Sequence, residues 1–333
     1  MKKRWWFLFG LGLAVSAVFL YLAFREVDWT ELGRTLTTIT PGYVVMSCLF
    51  VALSISLRAL RWMYISDGNA RRYKAYWSAA ALGYFGNTVY PLRAGETLRV
   101  LAIKKLANVP IGHGTTSAVI DRLADGLALG FMLLIVGLIH GENVLGKNAV
   151  EALRYTFIAG AAFLVAFGLW GKRWRGFFEK LFSIFPQRAA DLLLSWYDQA
   201  VALIVEVGKP AALLRIVVIT ICAFVMDLMI TWSIFQAFGW DLPVAAAFTT
   251  ETFLAAGSAL PSAPAFVGIF QIASVLALGL YGIKATSAVA FSIVLQVVLL
   301  IVIVSQGLGV IARFGKGLVS QAPQGAGAQT GTE

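Results

Sequence analysis

Long unbroken runs of apolar side chains do most to limit what this chain can fold into. They occupy residues 5–24, 42–65, 114–139, 152–170, 211–238 and 286–312. A soluble core does not need its apolar residues in such blocks. Lipid offers no hydrogen-bond partners to the backbone, so a spanning segment must be a helix or a strand of a closed barrel. Barrel strands are short and alternating, whereas these runs are continuous and match a helical crossing of about 20 residues. The sequence therefore predicts an all-α polytopic membrane protein with about six full transmembrane helices. Composition agrees: with 59% apolar and 13% charged residues, the chain has too little polar surface for a soluble domain of 333 residues.

The net charge of +10 suggests nucleic acid in a soluble protein. Here the basic residues sit beside apolar runs, which points to positive-inside topology and attraction to anionic headgroups, not to nucleic acid. Cys48 and Cys222 lie inside apolar runs and read as small core residues. His113 and His140 are far apart with no ligand spacing around them. No metal and no cofactor is expected. Lys2-Lys3-Arg4 and the following apolar run imitate a signal peptide, with Ala14-Val15-Ser16-Ala17 as a mock cleavage site. The run continues beyond it, so a retained first helix is the expectation.

Two further apolar regions are interrupted. Residues 75–108 are broken at Pro91-Leu92-Arg93-Ala94-Gly95, and residues 243–281 at Pro261-Ser262-Ala263-Pro264. Proline removes a helical hydrogen bond and clashes with the preceding turn, so helices stop there. The pieces 75–90 and 94–108 are about 16 and 15 residues, roughly 24 Å at 1.5 Å per residue, short for a full span. Each region reads as a re-entrant hairpin of two half-helices or a pair of short broken helices. With both ends of each hairpin on one side and the N-terminus in the cytoplasm, the basic residues segregate. Only Arg25, Arg34, Lys147, Arg154 and Lys284 of the 27 Lys and Arg fall on the opposite side. The expected location is the inner (plasma) membrane, multi-pass, with both termini cytoplasmic.

Span, broken hairpin, span then occurs twice, over 42–139 and 211–312, entered from opposite sides. That is the pattern of an inverted repeat, whose interrupted segments point to a transporter's midplane site. Ordinary loops between short helices would give the same hydropathy. One transmembrane domain, 1–315, is expected. Its halves are linked by an amphipathic helix in 176–209 at the cytoplasmic interface. Residues 316–333, Gly/Ala/Gln-rich from Gln321, are expected to be a disordered cytoplasmic tail.

Charged residues inside apolar segments are costly and mark candidate sites. The first group surrounds the first break. It comprises Asn87, which offers donor and acceptor, Pro91, Arg93, Gly95, Glu96 and Arg99. Arg93 presents a planar fork suited to phosphate or carboxylate. Glu96 and Arg99 can pair at i,i+3. A solvated turn with a routine ion pair is the plainer reading. The second group is Asp121, Arg122 and Asp125, early in the third full span, with Arg93 or Arg99 as available partners. It reads equally as a lock between helices or as a substrate or proton site. Asp227 and Glu251 are isolated carboxylates inside apolar segments, and Gln271 and Gln296 can bond across helices. Arg58 and Arg61, near a helix end, are expected to snorkel to headgroups.

The ordered set Asn87…Pro91-Leu92-Arg93-Ala94-Gly95-Glu96…Arg99, Asp121-Arg122…Asp125 and Leu260-Pro261…Pro264…Gly268 resembles the lysylphosphatidylglycerol synthase transmembrane, flippase-like family over about residues 5–315. The resemblance implies a role in moving lipid between leaflets or in lipid-linked pathways. The family usually carries Pro-Gly-Gly after the second break and an acidic residue soon after. Here Pro264-Ala265-Phe266-Val267-Gly268 leads to Gln271, so an acidic role at that position is not expected. No soluble aminoacyl-transferase domain follows, so aminoacyl-lipid synthesis is not expected of this chain. The reading is a translocase or handling protein for an anionic or phosphate-bearing membrane lipid. The alternatives are a membrane-embedded headgroup enzyme using Asp121, Asp125 or Glu96, and a non-transporting partner of a lipid-modifying or glycosyl-transferring enzyme.

Overall fold

The structure, a computed structural model, describes residues 17–25, 27–90, 94–141, 147–259 and 264–315. Helices account for nearly all of these, and no strand occurs among the described residues. After helical residues 17–24 come α1 (Trp29–Thr37), α2 (Pro41–Ser66), α3 (Tyr73–Val89), α4 (Gly95–Ala107), α5 (Ile111–His140) and α6 (Lys147–Phe182). Then follow α7 (Gln187–Val207), α8 (Pro210–Ala237), α9 (Val244–Ser258), α10 (Ile269–Gly279) and α11 (Ala285–Phe314). By length and composition α2, α5, α8 and α11 can each cross a bilayer. The expected span 152–170 lies within α6, and most of 5–24 lies outside the described residues.

Local chemistry sets the boundaries. Proline opens α2 and α8 at the first helical turn, where its missing N–H costs nothing. Asn108 ends α4 in the left-handed region, φ 56°, which asparagine tolerates better than most residues. Asp28 caps α1 by accepting from the backbone N–H groups of Thr30 and Glu31. The first break falls between α3 and α4, and the second is a 3₁₀ turn at Pro264–Phe266 between α9 and α10. Pro91 and Pro261 themselves lie outside the described residues, as does the tail 316–333.

Cross-helix bonds fix the directions. Thr40 at the start of α2 donates its backbone N–H to Ala237 at the end of α8. Ser54 bonds Asp227 and Arg61 bonds Thr220, so α2 and α8 run antiparallel along their whole length. Trp62 bonds Ser117 and His113 bonds the Ser66 carbonyl, so α2 and α5 are antiparallel too. The end of α2 and the start of α5 therefore share one side, and the intervening α3–α4 pair leaves and returns on that side. At the other side, Asp28 donates to Thr286 at the start of α11. The end of α8 lies there as well, so α9–α10 leaves and returns on that side. Both interrupted regions are helical hairpins, and they enter from opposite ends of the bundle.

The hairpins are close-packed. A Cβ on Gly95 would collide with the Gly83 carbonyl and with Asn87, so α3 and α4 touch backbone to backbone. Phe85 of α3 packs directly against Gly307 of α11, where a Cβ would collide with it. The apolar core centres on α8 and α11, with Ile234, Phe235, Phe291 and Val298 fully buried. α7 occupies Gln187–Val207 and not all of 176–209, because α6 runs on through Phe182 and the turn at Pro186 comes later. It folds back antiparallel on α6: Tyr197 bonds the Gly171 carbonyl, and Arg175 pairs with Asp198. Leu203 of α7 packs with Ile65, Ile120 and Ile216 of α2, α5 and α8.

Candidate functional site

Ser54, Arg58 and Arg61 lie at i, i+4 and i+7 on α2, so one helical face presents all three to α8 and α5. Arg58 gives one arm to Asp125 at 2.7 Å and the other to Asp227 at 2.6 Å. Its Nε points to Ser54, whose hydroxyl in turn donates to Asp227 at 2.5 Å. Arg61 is fully buried and bonds Asp121 at 2.8 Å and Asp125 at 2.7 Å. These two arginines do not snorkel. A run of apolar residues on their own helix suggests a headgroup contact, but carboxylates on α5 and α8 capture both forks inside the bundle.

The α4 side completes the cluster. Arg99 pairs with Glu96 at 2.9 Å and with Asp121 at 3.1 Å, and donates to the Ala118 carbonyl. Its guanidinium lies over the Trp62 ring, 4.7 Å from the centroid. Arg122 pairs with Asp125 at 2.9 Å and approaches Glu96 at 3.4 Å. Four arginines (58, 61, 99 and 122) thus face four carboxylates (Glu96, Asp121, Asp125 and Asp227), and the network is formally neutral. Depth grades across it. Arg61 and Asp121 are sealed, whereas Glu96 and Arg122 keep 33% and 38% of their side-chain exposure and form its open edge.

The other residues singled out in the sequence divide between the two breaks. Asn87 sits in the last turn of α3 against Gly95, and its side-chain oxygen is buried with no hydrogen-bond partner among the described residues. Arg93 lies outside the described residues. Glu251 of α9 accepts a hydrogen bond from Thr231 of α8 at 3.2 Å, one turn along from Asp227.

The second break is fastened without charge. Ala265, Phe266 and Gly268 have φ of 57°, 57° and 88°, a left-handed run that Pro264 opens. Gln271 accepts from the Gly268 N–H at 2.8 Å and donates to Gln296 at 2.6 Å. Gln296 donates to the Ala265 carbonyl at 3.1 Å. The glutamine at position 271 therefore caps α10 and ties the turn to α11. No group of three or more His, Cys, Asp or Glu that could hold a metal ion occurs among the described residues.

Sequence reasoning placed Glu96, Arg99, Asp121, Arg122, Asp125 and Asp227 among the candidates, and the structure brings all six into one network. It missed Ser54, Arg58, Arg61 and Thr220. The available signal was the i, i+4, i+7 spacing of Ser54, Arg58 and Arg61 within a span.

Comparison with known proteins is consistent with this architecture. The chain is 28% identical over 131 residues to the glycosyltransferase AglD of Haloferax volcanii, covering 38% of this chain and 21% of that protein. It is 24% identical over 130 residues to a UPF0104 membrane protein of Methanocaldococcus jannaschii, 38% of this chain and 39% of the relative. A UPF0104 membrane protein of Methanothermobacter thermautotrophicus is 23% identical over 148 residues, 43% of this chain and 44% of the relative. The chain thus spans less than half the length of each of these relatives. No solved structure matches it. Residues 9–307 match the model of the lysylphosphatidylglycerol synthase TM region, and the chain belongs to that family of integral membrane proteins.

Proposed function

We propose that this protein is a flippase-like translocase or handling protein for a membrane lipid with an anionic or phosphate-bearing headgroup. The observation that carries the reading is the neutral four-by-four ion network built into α2, α4, α5 and α8. Stability alone does not call for it, because well-packed apolar side chains in place of buried ion pairs are commonly neutral or stabilising. Ionisable groups within membrane segments mark substrate or ion pathways. At the open edge, Arg122 offers a fork held by Glu96 and Asp125, and a phosphate can replace a carboxylate on such a fork. The two hairpins, entering from opposite ends, support a pair of inverted repeats over 42–139 and 211–312, with the network at their junction. The charge asymmetry supports a plasma-membrane protein with both termini cytoplasmic and the Arg122 edge on the cytoplasmic side.

Reconstitution into liposomes carrying fluorescent phospholipid, aminoacyl-lipid or polyprenyl-phosphate probes tests the reading. Wild type should change the leaflet distribution of at least one probe. Arg122→Lys should impair this, since it keeps the charge but loses the fork. Arg93→Lys, at the first break, should do the same. No protein-dependent redistribution of any probe would sink the translocase.

A second reading, a non-transporting partner of a glycosyl-transferring enzyme, has one observation in its favour: the similarity to a glycosyltransferase over 131 residues. Its sign would be stable co-purification with such an enzyme and no activity alone.

A further inference from the structure

The network leaves one carboxylate over. Glu251 of α9 is the fifth acidic side chain in this part of the bundle, and the four arginines are matched by four other carboxylates. Arg58 and Asp227 both lie within electrostatic range of it. Arg58 is already paired: one arm holds Asp125, the other holds Asp227, its Nε is on Ser54, and none of its bonds goes to Glu251. The partner Glu251 does have is a hydroxyl, Thr231, four residues beyond Asp227 on the same face of α8. A second carboxylate, bonded to a hydroxyl one turn from an ion-paired aspartate inside an apolar helix pair, requires a further positive charge to be neutral.

We propose that Glu251 is a proton-binding site, loaded when Arg58 is held by Asp227 and emptied when Arg58 is transferred to Glu251. The step balances simply. The Glu251 O–H bond breaks, its proton leaves to water, and the carboxylate takes over the guanidinium arm. Asp227, having given up that arm, takes up a proton from water, so the exchange leaves the net charge of the bundle unchanged. Because Glu251 rides on the broken pair α9–α10 and Arg58 on α2, exchange of partners links transfer of a proton from Glu251 to Asp227 to movement of that hairpin against α2 and α8. Such a proton site does not depend on the identity of the lipid and is measured without any transport.

The groups around the site permit this assignment. α8 contributes Asp227 and Thr231, and α2 contributes Arg58. α5 contributes Asp125, beyond Arg58. Tyr84 of α3 lies within electrostatic range of Arg58. α10 carries no ionisable side chain. His140 at the end of α5 and Tyr281 after α10 are engaged with Thr249, two residues before Glu251, each at 3.0 Å. A histidine or tyrosine lacks a carboxylic acid carbonyl, so vibrational spectroscopy separates them from glutamate.

The test is infrared difference spectroscopy, between acidic and alkaline buffer, on the purified full-length protein in liposomes. Wild type should show the carbonyl stretch of a neutral carboxylic acid, lost at high pH. Carboxyl-13C glutamate labelling should move that band, and Glu251→Gln should abolish it. Thr231→Val, which deletes the donor, should shift the band in a protein that keeps Glu251. Asp227→Asn frees an Arg58 arm and should remove the band at neutral pH. Absence of the band in wild type, its insensitivity to glutamate labelling, or its survival in Glu251→Gln would overturn the proposal. So would a gain in thermal stability with sodium, potassium or magnesium that Glu251→Gln abolishes, because it would assign the charge to a metal cation.

Discussion

Arg61 offers the most direct measure of the buried network. Its side chain is fully buried and bonds Asp121 at 2.8 Å and Asp125 at 2.7 Å, with longer contacts to Thr220 and the Asp121 carbonyl at 3.3 Å each. Arg61→Met keeps much of the volume and removes the charge, leaving three cations against four carboxylates. Removing one partner of a buried pair costs about 3–5 kcal/mol. Asp121 would keep Arg99, and Asp125 would keep Arg58 and Arg122, so neither is stranded. That places the expected loss near the lower limit, about 3 kcal/mol, or roughly a hundredfold in the folded-to-unfolded ratio at 1.4 kcal/mol per tenfold. Reversible unfolding by SDS in mixed micelles reads it. Asp121→Asn alone should also destabilise. The double variant restores neutrality and should lose less than either single change. A loss below about 0.5 kcal/mol for Arg61→Met, the range of ordinary surface changes, would refute the network. So would a double variant whose loss is the sum of the two.

Three other expectations follow from named contacts. Gly95→Ala should lose at least about 1–3 kcal/mol in the same assay, because its Cβ meets the backbone of α3. Gly176→Ala, with nothing within 4 Å of its Cβ, should be neutral or slightly stabilising, and equal effects at the two sites would contradict the close hairpin. Ser54→Ala should cost about 1.5–3 kcal/mol, the range for a hydrogen bond to a charged group, and the cost should vanish in an Asp227→Asn background. Cysteines at Ala70 and Lys284 should react with an impermeant thiol reagent from opposite faces of the membrane, Ala70 from the cytoplasm. Labelling of both from one face would break the two-hairpin arrangement.

The parts of this molecule that depend on neighbours in sequence were legible. Pro91 and Pro261 announced the breaks, because the chemistry of a break is local. The Glu96–Arg99 pair at i,i+3 stands at 2.9 Å. Asp121 and Asp125 stood out as charges inside a span, and Arg99 of α4 is one of the partners named for them in advance. Arg58 and Arg61 went the other way. Read along α2 they lie near an end and suit headgroups, but their partners arrive from α5 and α8, more than 60 residues away for Asp125 and 169 for Asp227. Asp227 looked alone for the same reason. The glutamine at position 271 signalled a departure from an acidic pattern; its cap on the Gly268 N–H is local, but its tie to α11 needs Gln296, which reaches back to the Ala265 carbonyl of the preceding turn.

The contrast between the two breaks sets which external conditions each end of the bundle answers to. The turn before α10 is laced by amide groups, Gln271 and Gln296, whose strength depends on neither ionic strength nor pH. The edge beside α4 is held by Glu96 and Arg122, which remain partly wet and so are weakened by dissolved salt. Raising ionic strength therefore weakens the Glu96–Arg122 edge and leaves the amide-laced turn before α10 as it was, so the two breaks answer to different solvent conditions.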